Sequence, residues 1–186
     1  MIGRRTLTVR VSLLALLLAA GSARAELIEV RQVAGGMECA ECARRLRMDV
    51  GRLDGVDATE ASWNRRILTV HFRARSRATL EELRALVRRN HFSVREADVI
   101  VRGRVGRTPS GALELAVTGS GAVYSIATAA PATGANDALA ARLAGAAADG
   151  RDITVRGRIA GDEASPGQRA ATGARALWVL HVTDAG

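Results

Sequence analysis

The chain has 186 residues, 27 of them basic against 19 acidic, for a formal charge of +8. Every basic residue is arginine, and the alanine, glycine and arginine bias reflects composition rather than chemistry. This excess of basic residues does not single out nucleic acid as a partner.

The first 25 residues read as a targeting segment. MIGRRTLTVR is positively charged, VSLLALLLAAG is apolar, and Ser22-Ala23-Arg24-Ala25 places small residues where a signal peptidase cuts. The apolar run is shorter than the ~20 residues that span a bilayer. Cleavage after Ala25 is expected, which leaves 161 of the 186 residues, at about +4, in the periplasm or outside the cell without a stable membrane anchor.

From Leu27 to Val33 apolar residues alternate as in a strand. Gly35-Gly36-Met37-Glu38-Cys39-Ala40-Glu41-Cys42 follows and holds both cysteines. Ala43, Leu46, Val50 and Leu53 then recur at helical spacing, with Gly55 as a stop. Val56 to Trp63 and Ile67 to Phe72 read as strands about an Asn64-Arg65-Arg66 turn, with Trp63 packed. Thr79 and Glu82 make a capping box. Leu80, Leu83, Leu86 and Val87 mark a second helix, and a last strand starts near Ser93. The order βαββαβ is the split βαβ, or ferredoxin-like, arrangement.

These residues resemble a heavy-metal-associated domain, the family of copper chaperones, the metal-binding modules of metal-pumping ATPases and the periplasmic mercury-binding protein. The resemblance rests on Gly36-Met37-x-Cys39-x-x-Cys42, Leu53-Asp54-Gly55-Val56, Leu68 to Phe72 and Leu80-Glu81-Glu82-Leu83, and covers roughly residues 27 to 98. One departure stands out: the family usually ends its second helix with Gly-Tyr or Gly-Phe, and this chain has His91-Phe92.

Cysteines spaced i, i+3 at a helix start can aim both sulfurs at one point, and the helix N-terminus favours the thiolate. Cys39 and Cys42 are therefore the expected metal ligands, and soft sulfur selects Cu(I) or Hg(II). Zn(II) would need further donors. Glu38 resembles the acidic residue of zinc- and lead-pumping modules, and His91, on a turn that should approach the cysteine loop, is a possible third donor. Met37 is expected to pack beneath the loop. Two other readings of the pair stay open: a structural disulfide in an oxidising compartment, and a thiol-disulfide redox pair. The cis-proline that thioredoxin-like folds place against the cysteines has no counterpart here, since Pro109, Pro131 and Pro166 all lie in the second half.

That second half is strand-rich. Val99 to Val105, Ala112 to Val117, Ala122 to Thr128, Ile153 to Ile159 and Ala176 to Val182 are strand-like, with a helix capped by Asn136 between the third and fourth. Five strands in this order resemble an OB-fold barrel. VRGRV recurs as VRGRI, which puts Gly103 and Gly157 at bends of the first and fourth strands. Trp178 and His181, three apart, should point to opposite faces. The expected organisation is a signal segment (1–25), a ferredoxin-like metal domain (26–98) and an OB-like β-barrel (99–186), in a non-catalytic metal-binding protein that could deliver its ion to a membrane metal transporter.

Overall fold

The computed structural model describes residues 26–117, 119–128, 134–162 and 175–184. The segment 1–25, expected to be a targeting signal, lies outside the described residues.

Among the described residues eight strands and three helices follow one another. They are β1 (Glu26–Gly35), α1 (Ala40–Val50), β2 (Val56–Ser62), β3 (Ile67–Phe72), α2 (Leu80–Arg89), β4 (Ser93–Arg107), β5 (Leu113–Val117), β6 (Ala122–Thr128), α3 (Gly134–Asp149), β7 (Asp152–Ile159) and β8 (Arg175–Asp184). The strands form one sheet in the order β2-β3-β1-β4-β5-β6-β8-β7, and β7 returns to pair with β4. The chain is thus a mixed α+β structure: an open four-stranded part carrying α1 and α2, and a closed five-stranded barrel.

The sheet begins with β2, β3, β1 and β4, all antiparallel. Val30, Gln32 and Ala34 of β1, Leu68 and Val70 of β3, and Ala97 and Val99 of β4 are buried. They share one face because side chains alternate along a strand. The helices cover that face with Ala43, Leu46 and Val50 of α1 and Leu80, Leu83 and Val87 of α2. Thr79 caps α2 as expected, its hydroxyl accepting from the Glu82 amide at 3.1 Å while the Glu82 carboxylate accepts from the Thr79 amide at 2.7 Å. α1 stops at a Gly51 cap, so Leu53 falls beyond the helix in which its spacing had placed it.

β4 is the hinge of the architecture. The last strand of the first half and the first strand of the second are one 15-residue strand that passes through Asp98 and Val99 without a break. After a register shift between Val94 and Ala97 the alternation runs on across Asp98 and Val99, with Ala97, Val99, Val101 and Val105 all buried. β1 lies along its first part, from Ser93 to Arg102, and β5 takes over at Arg104. β7 pairs with it from Ala97 to Arg104.

The barrel runs β4-β5-β6-β8-β7 and back to β4, with β6 and β8 parallel. The two recurring glycines sit where neighbouring backbones come close. A methyl on Gly103 would lie 2.6 Å from the Ala116 carbonyl oxygen, and one on Gly157 would lie 2.7 Å from Leu177 Cδ1 and from the Trp178 carbonyl oxygen. α3 starts at Gly134, so Asn136 lies inside its first turn rather than before it. Leu143 and Ala146 of α3 are buried among the barrel residues.

Two expectations about aromatic residues are corrected. Trp63 is 49% exposed, because it follows the last residue of β2 and lies past the sheet. Trp178 and His181 do not split between faces. The β7–β8 register slips between Arg156 and Gly157, where Arg156 faces His181 and Gly157 faces Val179. The extra residue, Leu180, resets the alternation. Trp178 and His181 therefore lie opposite Arg158 and Arg156, which are both exposed, on the outer face.

Candidate metal centre

The cysteine loop leaves β1 at Gly35 and enters α1 at Ala40. Gly36 turns the chain with φ +89°, a left-handed conformation that a side chain would resist. Met37 is fully buried and fills the core under the loop, as its position implies. It anchors the loop from below, while Glu38 and Cys39 are exposed and Cys42 is half-buried.

Cys39 is the N-cap of α1. Its Sγ accepts the Cys42 amide at 3.0 Å, so the sulfur occupies the place where a serine or aspartate oxygen commonly satisfies a free helix amide. The two cysteines, with Cα atoms 5.1 Å apart, are joined as a disulfide. The bridge closes a loop too short to restrain the unfolded chain much. Both sulfurs therefore meet at the positive end of a helix, where a thiolate pair formed by reduction would be favoured.

The surroundings are charged but largely self-contained. Arg44 holds Glu41 through its guanidinium, Nε donating to Oε2 at 2.8 Å. That hydrogen bond draws the Glu41 carboxyl below its usual pKa and raises that of Arg44. Arg44 is thus committed to Glu41, and Arg45 beside it is exposed.

His91 sits where the chain turns out of α2. The Phe92 amide donates to the Val87 carbonyl at 3.2 Å and the His91 amide to the Arg88 carbonyl at 2.8 Å. These two bonds are the Schellman closure of a helix C-terminus, with His91 at the left-handed position. Its φ is +64°, which explains why glycine is the family's residue there. The turn does approach the cysteine loop: Ser93 pairs with Gly35, and the Phe92 ring lies 3.9 Å from where a Gly36 methyl would stand. Among the described residues, however, no group of three or more His, Cys, Asp or Glu side chains is gathered to hold a metal. What the structure brings together are the two sulfurs of Cys39 and Cys42, and the side chains of Glu38 and His91 are exposed.

Sequence reasoning passed over the buried polar pair beneath the junction of the two halves. Gln32 and Arg84 are fully buried. Arg84 Nε donates to Gln32 Oε1 at 3.0 Å, and its Nη2 donates to the Ile159 carbonyl at 3.4 Å. Gln32 Nε2 in turn donates to the Arg95 carbonyl at 2.9 Å. The signal was present in the alternation of β1, since Gln32 has the same parity as Val30 and Ala34. Outside, Arg88 on α2 grips Asp162 beyond β7 with two bonds of 2.8 Å, which raise its pKa.

Among the described residues no helix is long and apolar enough to cross a membrane. No curated protein and no solved structure matches the chain. Residues 34–92, from the end of β1 to the turn after α2 and so including the cysteine loop, match the family model of the heavy-metal-associated domain.

Proposed function

We propose that the protein is an exported metallochaperone or metal scavenger that carries Cu(I) or Hg(II) between the reduced thiolates of Cys39 and Cys42. The observation that carries this reading is the convergence of both sulfurs at the N-terminus of α1, inside a domain of the heavy-metal-associated family. Two soft donors, with no third ligand gathered among the described residues, suit an ion content with two-coordination better than Zn(II), which favours four. Export rests on the targeting segment, and an exported soft-metal carrier would meet a membrane metal transporter rather than nucleic acid.

The second half is an OB-fold-like barrel in this reading. The barrel order, the parallel β6–β8 pair and the helix between β6 and β7 support it. Its β4 strand is shared with the metal domain, so it braces that domain instead of swinging on a tether.

The disulfide favours one rival, a thiol-disulfide redox protein. One pair of assays decides between them. Under the metal-carrier reading the reduced protein binds one Cu(I) per chain against a chelator, the Cys39→Ser/Cys42→Ser variant loses that binding, and neither form reduces a model disulfide substrate. Catalytic turnover of the substrate together with weak Cu(I) binding would reverse the assignment.

A further inference from the structure

We infer that the free edge of β2, beside α1, is a docking site for an extended acidic segment of a partner protein. The eight-stranded sheet closes on itself through β4 and β7, so β2 is its one terminal strand, paired with β3 alone among the described residues. An unpaired strand edge offers backbone donors and acceptors to another chain, and added strands are a common mode of peptide recognition. On the metal domain the opposite edge, β4, is already taken by β7. β2 is what remains.

The edge is not bare. A groove of about 390 Å³ runs between it and α1, lined by Ala43, Arg44 and Arg47 of α1 and by Thr59, Ala61 and Trp63. Its floor is fixed by Thr59, whose hydroxyl donates to the Arg47 carbonyl at 3.3 Å. Trp63, 49% exposed, stands at one end, and Met48, 42% exposed, lies against Arg44. Large apolar side chains left in water beside an open strand edge mark an interaction surface, and tryptophan and arginine are the residues that most often anchor one.

Charge selects the occupant. Arg44, Arg45 and Arg47 lie along α1, and Arg65 and Arg66 follow Trp63. Arg44 is held by Glu41, but Arg47 and Arg66 have no carboxylate partner among the described residues. Glu60 is the one acid that lines the groove. A second copy of this chain docking edge to edge would bring two such arginine sets together, whereas an acidic strand would neutralise them.

The test uses the full protein without metal, so its outcome stands apart from whether Cys39 and Cys42 carry an ion. The probe is a fluorescein-labelled ten-residue peptide alternating glutamate and valine, read by anisotropy at low salt, with the lysine-valine peptide as control. The acidic peptide should bind saturably and the control should not. Arg47→Glu and Trp63→Ala, both at exposed positions, should each weaken binding by about tenfold while leaving thermal unfolding unchanged. The proposal is overturned by absence of saturable binding or by equal binding of both peptides. It is equally overturned by indifference to both substitutions, by sedimentation showing a dimer that Arg47→Glu dissolves, or by phosphatidylglycerol vesicles outcompeting the peptide.

Discussion

Arg84 and Gln32 meet in the interior, Nε to Oε1 at 3.0 Å, with neither side chain exposed to water. The bond ties α2 to β1, and the same guanidinium reaches the Ile159 carbonyl at the end of β7. A buried cation is costly unless its donors are used, and truncating it strands the partners it served. Arg84→Ala should therefore destabilise the protein by about 3 kcal/mol, measured by urea unfolding. A loss below about 1 kcal/mol would mean that the junction does not depend on it.

The shared β4 strand implies that the two halves unfold together. Trp63 belongs to the metal domain and Trp178 to the barrel, so each reports on one half. Proteins that keep only Trp63 (Trp178→Phe) or only Trp178 (Trp63→Phe) should show coincident fluorescence transitions in urea. Midpoints that separate would identify two independent domains. Limited proteolysis should likewise spare residues 95 to 102.

His91 carries backbone strain at φ +64°. His91→Gly should raise stability by about 1 kcal/mol, because a left-handed residue with a side chain costs ~1–2 kcal/mol. Cu(I) affinity should stay within about twofold of wild type, a change of ~0.4 kcal/mol. A marked loss of affinity would make the histidine a ligand after all.

Gly103 lies where β5 crosses close to β4, and a methyl there would press on backbone rather than on a flexible side chain. Gly103→Ala should lower stability by about 2 kcal/mol in thermal unfolding, in the range of overpacked cores. An unchanged melting temperature would show that the strands can separate at that crossing.

Much of the fold was legible because its elements carry local signals. The Thr79–Glu82 capping box located α2, the Asn64-Arg65-Arg66 turn fixed β2 and β3, and alternation placed every barrel strand within a few residues. What escaped were features decided by neighbours. The alternation from Ala97 to Val105 crosses the expected boundary near Asp98, and nothing in it turns the chain. The bulge at Leu180 depends on pairing with β7, so the spacing of Trp178 and His181 misled. Trp63, expected to pack, stands just past the end of an edge strand and is half exposed. The site divides in the same way. That Cys39 and Cys42 lie together with Met37 packed beneath them follows from the motif, whereas the Arg84–Gln32 bond joins residues 52 positions apart.

The metal centre itself is tested most directly by copper K-edge absorption on protein reduced, loaded with Cu(I) and kept free of oxygen. Two sulfur scatterers, with no nitrogen or oxygen shell and no copper neighbour, are predicted, and the protein with its Cys39–Cys42 disulfide intact should take up no copper. A nitrogen or oxygen donor in the first shell, or copper bound equally by the disulfide form, would contradict the two-thiolate account.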